Sequence, residues 1–210
     1  MKRKLGKAFY QQEDVVTLAK LLIGKVLVSA VDNTCCSGII TETEAYNGIH
    51  DKASHAYGGR RTARTETMYA TGGCAYVYLC YGIHSLFNVV TGKADHPQAI
   101  LIRAIQPLEG IDLMEKRRKM KAMSRNFSNG PGKVSEAMGF HFSHSGISLF
   151  GQHIWIEDRG ISIENHQLEV TPRIGVDYAA DDALLPWRFV IKEEIKLTTS
   201  PRSRSGSRKK

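Results

Sequence analysis

The stretch VLVSAVDNTCCSGIITETEAY, Val26 to Tyr46, decides the fold. An apolar run, Val26–Ala30, is followed by the polar turn Asp32-Asn33-Thr34 and a second run, Gly38–Tyr46, which together read as two strands joined tightly. Outward from this pair, Ala75–Tyr81 is a third strand, entered through Gly72-Gly73, and Asn88–Thr91 and Ala99–Ala104 are two more. Strand-like stretches recur at Ser148–Phe150, His153–Glu157, Arg173–Val176 and Trp187–Ile191. Helical spacing marks Asp14–Leu22, closed by Gly24, then Ile111–Met123 after the breakers Pro107 to Gly110, and Lys133–Met138 behind Asn129-Gly130-Pro131-Gly132. In the Ile111–Met123 helix, Ile111, Met114 and Met120 are the core candidates, with Lys116, Arg117, Arg118, Lys119 and Lys121 facing outward. Short strands joined mostly by hairpins give the α+β class: a single domain with a curved, mainly antiparallel β-sheet and surrounding helices. That domain is expected over residues 1–200. The remainder, 201–210, has no apolar residue and reads as a basic disordered tail.

Composition narrows the function. The chain has 210 residues, 42% hydrophobic and 24% charged, which is ordinary globular usage. No apolar run approaches the ~20 residues of a membrane helix, and the basic N-terminus lacks a signal-peptide core, so a cytoplasmic protein is expected, intracellular and nucleoid-associated, or nuclear in a eukaryote. Four cysteines without CxxC spacing read as reduced thiols, and no histidine cluster has metal-site spacing, so no metal is expected. No dinucleotide, P-loop or serine-hydrolase motif is present. The net charge of +8 is unevenly spread: residues 52–133 carry 13 basic against 5 acidic side chains, whereas 134–201 carry 5 against 10. Such a basic stretch suits a polyanion surface, and equally a solvated helix face.

Chemistry concentrates in two strands. Alternation puts Glu42, Glu44 and Tyr46 on one face of the second strand and Thr41, Thr43 and Ala45 on the other. In AYVYLCYG, Ala75–Gly82, Tyr76 and Tyr78 share a face, while Tyr81 has opposite parity beside Gly82. Tyrosines offer flat area for stacking on a nucleobase, although an ordinary core also buries such rings. Between the strands runs the Arg-rich loop His55–Arg64, suited to phosphate contact.

These motifs identify a resemblance to the methylpurine-DNA glycosylase family, from about Leu5 to Ile191. It is carried by TETEAY (Thr41–Tyr46), His55 with GGRRTAR (Gly58–Arg64), AYVYLCYG (Ala75–Gly82), FNVVT (Phe87–Thr91), ILIRAIQPLEG (Ile100–Gly110), GPGK (Gly130–Lys133) and PWRF (Pro186–Phe189). The resemblance implies a glycosylase that flips alkylated or deaminated purines out of duplex DNA and hydrolyses the N-glycosidic bond. By similarity Glu44 is the general base and Arg103 helps hold the attacking water. Parity alone leaves Glu42 an equal candidate. Tyr46, His55, Tyr78 and Asn88 would form the purine pocket, Asn88 crowding the purine 2-position, and Tyr81 would fill the gap in the base stack. Arg60, Arg64 and Lys133 are candidates for the DNA backbone. With no amine nucleophile invoked, the expected enzyme is monofunctional, leaves an abasic site, uses no cofactor and acts as a monomer on double-stranded DNA containing damaged purines. The competing expectation is a non-catalytic nucleic-acid binding module with a base-stacking pocket.

Overall fold

The computed structural model describes residues 2–193 and Ile195; the expected 201–210 tail and the 200/201 boundary lie outside them. In chain order the elements are β1 (Arg3–Lys4), α1 (Lys7–Tyr10), α2 (Val15–Leu22), β2 (Val26–Ser29), β3 (Cys36–Asn47), β4 (Ala75–Cys80), β5 (His84–Thr91), β6 (Gln98–Glu109), α3 (Ile111–Arg118), α4 (Pro131–Met138), β7 (Ile154–Asp158), β8 (Leu168–Thr171) and β9 (Arg188–Ile191), with short 3-10 turns between. The nine strands form one antiparallel sheet in the order β1-β7-β2-β3-β6-β5-β4, with β9 bridging β3 and β8. The α+β class, the antiparallel curved sheet and the opening β2–β3 hairpin are as expected. No helix among the described residues is long and apolar enough to cross a membrane.

β3 is the hub. Along one edge it pairs with β6. Along the other it pairs first with β2 (Cys36–Ile39) and then with β9 (Glu42–Glu44). At the change-over the β3–β6 ladder is irregular: Ile40 opposes Ile105 and Glu42 opposes Ala104, leaving Thr41 unpaired, and Thr43 then opposes Ile102, leaving Arg103 unpaired. A bulge flips the alternation of the residues beyond it. Ile40 and Ala45 therefore face the same core although five residues apart, and so do Ile102 and Ile105. Without this flip, Glu42 and Glu44 would share the core face of Ile40.

Beneath that face lies α2. Asp14 caps it, accepting from the Val16 and Thr17 amides at 3.1 and 3.0 Å, and Val15, Leu18, Ala19 and Leu22 are buried. Thr43 Oγ1 donates to the Ala19 carbonyl at 2.9 Å, tying helix to strand just before Glu44.

Several expectations need correction. Arg173–Val176 is a loop, held by a buried arginine rather than by strand pairing. Ser148–Phe150 is a turn with a single bridge, Cys74 to Ser148. Pro107 to Glu109 lie inside β6, where Pro107 opposes Gly38. The Ile111 helix stops at Arg118 because Lys119 turns left-handed at φ 52°. Arg117 and Arg118 do not face outward: Arg117 donates to the Ala137 carbonyl at 3.1 Å and Arg118 to the Phe127 carbonyl at 2.8 Å. Both are half-buried braces for main-chain carbonyls. Finally, the third strand ends at Cys80, and Tyr81 belongs to the turn that follows.

Candidate active site

Register explains how residues far apart in sequence meet. One cross-strand row runs Tyr76–Asn88–Leu101–Glu44–Arg188 over β4, β5, β6, β3 and β9. Directly opposed residues point to the same side of a sheet, so this row underlies one surface. On it opens a cleft of about 410 Å³ whose lining includes Tyr46, His55, Arg64, Tyr76, Tyr78, Tyr81, Asn88 and Arg103. Of the residues singled out in the sequence, seven therefore line one cleft: Tyr46, His55, Arg64, Tyr78, Tyr81, Asn88 and Arg103. Glu44 lies immediately behind that wall, and Arg60 and Lys133 lie outside it.

Glu44 is 0% exposed and has two hydrogen-bond donors and one charged neighbour. Oε1 accepts from the Ile174 amide at 2.8 Å and faces Arg103 Nη1 at 3.3 Å. Oε2 accepts from the Tyr46 hydroxyl at 2.8 Å. Each carboxylate oxygen has about two lone-pair sites, and on Oε2 only one is taken by a donor among the described residues. Burial, followed by the adjacent Glu44 charge, pushes the Tyr46 hydroxyl well above the ordinary tyrosine range, so it stays a donor. Burial opposes the Arg103 charge, but Glu44 and Glu42 outweigh it and hold that guanidinium above its usual pKa.

The aromatic wall is built around His55. Its Nδ1 is 2.9 Å from the Tyr76 hydroxyl, and its ring meets Tyr78 edge-on at 4.6 Å. Burial, with Arg64 and Arg60 adding, pushes the imidazole down to about 4, so it is neutral at pH 7. Burial likewise raises Tyr76 to about 12 and lifts Tyr78. Asn88 donates both amide hydrogens to main-chain carbonyls, of Tyr76 at 3.1 Å and Leu86 at 3.2 Å, which leaves its Oδ1 as the free polar atom.

At the mouth stands Tyr81, 92% exposed, with Ile83 also largely exposed. Cys80 O accepts from the Ile83 amide at 3.1 Å, with Tyr81 at φ 50° and Gly82 at φ 74°. Two successive positive φ values are the mark of a type I′ hairpin turn. Glycine suits the second position. A tyrosine at the first costs roughly 1–2 kcal/mol of backbone strain, which the hairpin tolerates while holding the ring in solvent.

The loop Gly58–Arg64 is fastened through Arg61, which pairs with Glu66 and Asp95 at 2.7 Å each. Arg60 and Arg64 have no carboxylate partner among the described residues, and Arg64 lies 5.0 Å from the Tyr78 ring. Lys133, in the first turn of α4, reaches Asn126 Oδ1 at 3.3 Å.

Other contributors were not singled out from the sequence. Arg173 is fully buried, forms a two-armed pair with Asp51 at 2.5 and 2.8 Å, and donates to the Ala45 carbonyl at 2.9 Å. Its guanidinium lies 4.9 Å from the Tyr46 ring and 5.0 Å from Trp187. This clamp sets the loop that carries Ile174 against Glu44. Tyr178 closes the far lip, donating to the Ala53 carbonyl at 3.1 Å. A pairing over 122 residues leaves no local pattern, and the apolar neighbours of Arg173 disguised the loop as a strand. Glu42, the rival carboxylate, is held by Arg103 and Arg188 and does not line this cleft.

Comparisons with known proteins give the family. The family model described as methylpurine-DNA glycosylase matches residues 8–195. A protein of Chlamydia felis, provisionally named 3-methyladenine DNA glycosylase, is 47% identical over 188 residues, covering 89% of this chain and 95% of its own length. One of Clostridium perfringens, provisionally given the same name, is 43% identical over 198 residues, covering 90% of this chain and 96% of its own. With nearly its whole described length matched on both counts, the chain belongs to the methylpurine-DNA glycosylase family.

Proposed function

We propose that this protein excises 3-methyladenine, and related alkylated or deaminated purines such as 7-methylguanine, hypoxanthine and ethenoadenine, from duplex DNA, with Glu44 as the general base. The observation that carries the reading is a buried carboxylate with one open lone pair beside an aromatic cleft. A purine inside a duplex cannot enter such a cleft and must be flipped out. Tyr46, His55 and Tyr78 then bound the base, and the Asn88 side chain disfavours unmodified guanine by crowding the purine 2-position. Tyr81, held outward at the hairpin tip, fills the vacated place in the stack. Arg60, Arg64 and Lys133 meet the backbone phosphates.

In the reaction the C1′–N bond breaks through an oxocarbenium-like state, and water attacks C1′ as the base leaves with the bonding electrons. The water proton passes to Glu44 Oε2, while Tyr46 and the Ile174 amide hold the carboxylate and Arg103 orients the water. A 3-methylated adenine or 7-methylated guanine is cationic in DNA and departs as a neutral base, whereas neutral hypoxanthine or ethenoadenine departs as the anion and takes a proton from solvent. No lysine lines the cleft among the described residues, which favours water over an amine as the nucleophile and an intact strand bearing an abasic site. The protein acts as a monomer without a cofactor.

The test is incubation with a methylated duplex and with duplexes carrying single hypoxanthine or ethenoadenine residues. Released 3-methyladenine, with strand breaks appearing only after alkali, is the expected result. Tight duplex binding with no base released from any substrate would leave a binding module instead.

A further inference from the structure

Two arginines reach the glutamates of β3 from opposite flanks, Arg103 from β6 and Arg188 from β9. Glu42 Oε1 accepts from both, from Arg103 Nε at 2.8 Å and Arg188 Nε at 2.6 Å. Arg188 is anchored in turn on Thr171 Oγ1 at 2.9 Å. The hold on Glu44 is looser, one contact at 3.3 Å from Arg103 Nη1. Glu42 lines not the aromatic cleft but a second one of about 340 Å³, bounded by the end of β6, the 122–129 loop and β9.

We propose that Glu42 and Arg188 are a positioning pair that stops Arg103 from closing onto Glu44. An arginine beside a single carboxylate tends toward a two-armed pair, through two parallel N–H bonds. Such a pair here would take up the open lone pair on Glu44 Oε2. Glu42 prevents it by engaging Arg103 through Nε, so that only Nη1 faces Glu44. Arg188 makes Glu42 tolerable: one arginine against two buried carboxylates would leave an uncompensated charge, which is strongly unfavourable. With Arg188 the four groups sum to zero. The paired bulges at Thr41 and Arg103 turn Glu42, Glu44 and Arg103 to one face, where Arg188 stands opposite Glu44 across β3 and β9. The inference rests on Glu44 being the base, and the experiment separates the two.

Glu42→Gln keeps the shape and an acceptor oxygen but removes the charge that competes for Arg103. Single-turnover excision is expected to fall by about 10- to 100-fold, the scale of a misplaced catalytic group, with duplex affinity within about twofold of wild type. In an Arg103→Gln background the same change should add less than about threefold, because Glu42 acts through Arg103. A crystal structure of Glu42→Gln should show Arg103 donating two bonds to Glu44. A purely structural role would instead multiply in full on Arg103→Gln and leave Arg103 in place, which would overturn the proposal. So would wild-type excision by Glu42→Gln. If that variant does not fold, Arg188→Lys carries the same test, with the same non-additivity expected. Full activity in Glu44→Gln would mark failure of the base assignment itself, whatever Glu42→Gln does.

Discussion

From Cys36 to Ile40, β3 is buried by packing: Cys36 and Ile40 sit in the main core over α2, and Ile39 packs with Val26 and Val28 on the other face. From Glu42 to Glu44 the same strand is just as buried, yet two of its three side chains are carboxylates, at 5% and 0% exposure. Apart from Ser37, which donates to Glu109 at 2.7 Å, the first half is held by apolar neighbours. The second needs two arginines, a tyrosine hydroxyl and a main-chain amide, because a charge taken out of water is stable only when paired and hydrogen-bonded. Equal burial thus conceals two different jobs, and the bulge at Thr41 is where one passes into the other. Truncation in the first half should cost stability alone, and neutralisation in the second should cost chemistry.

The largest stability effect is expected in the first half. Ile40→Ala should lose about 3 kcal/mol, the usual scale for a truncated core isoleucine, measured by urea denaturation. Excision per folded molecule should be unchanged. A matching loss of single-turnover rate at full folding would show that the two halves are not separable.

A smaller effect concerns pH. His55 is held down to about 4 in the folded state, while the unfolded chain has the ordinary value near 6.5. As pH falls below about 6.5 the unfolded state takes up this proton first. Stability due to the neutral ring is therefore lost between about 6.5 and 4, with an upper limit of about 3 kcal/mol. His55→Gln should flatten that part of a stability–pH curve. An unchanged slope would place the titration elsewhere.

The smallest effect is at the hairpin tip. Tyr81→Gly relieves the left-handed strain and should raise stability by up to about 1 kcal/mol. Excision from duplex should weaken, with less loss when the lesion lies opposite a gap or in an already unstacked site. Equal loss on both substrates would contradict the wedge role.

Much of this was legible in the residues. The β2–β3 hairpin followed from two apolar runs around Asp32-Asn33-Thr34, and α2 from its apolar spacing and the closing Gly24. Family motifs brought Tyr46, His55, Tyr78, Asn88 and Arg103 onto one list, and all five line one cleft. Three things stayed hidden for physical reasons. A bulge has no local signature, so simple alternation could not show why Glu42 and Glu44 avoid the core face of Ile40. The Arg173–Asp51 clamp joins residues with no sequence periodicity between them. Arg117 and Arg118 look like a solvated face because charge pattern does not show which carbonyls a guanidinium reaches.

The most direct measurement is single-turnover excision of hypoxanthine from a duplex by Glu44→Gln beside wild type, with duplex affinity measured in parallel. Glutamine keeps the volume, and its one oxygen can still accept from the Ile174 amide while its NH2 donates to the Tyr46 hydroxyl oxygen, but it cannot take the water proton. The account predicts a rate loss of about 10³-fold, within the range for a lost general base, with affinity retained. A variant that binds the duplex and still excises at the wild-type rate would contradict it.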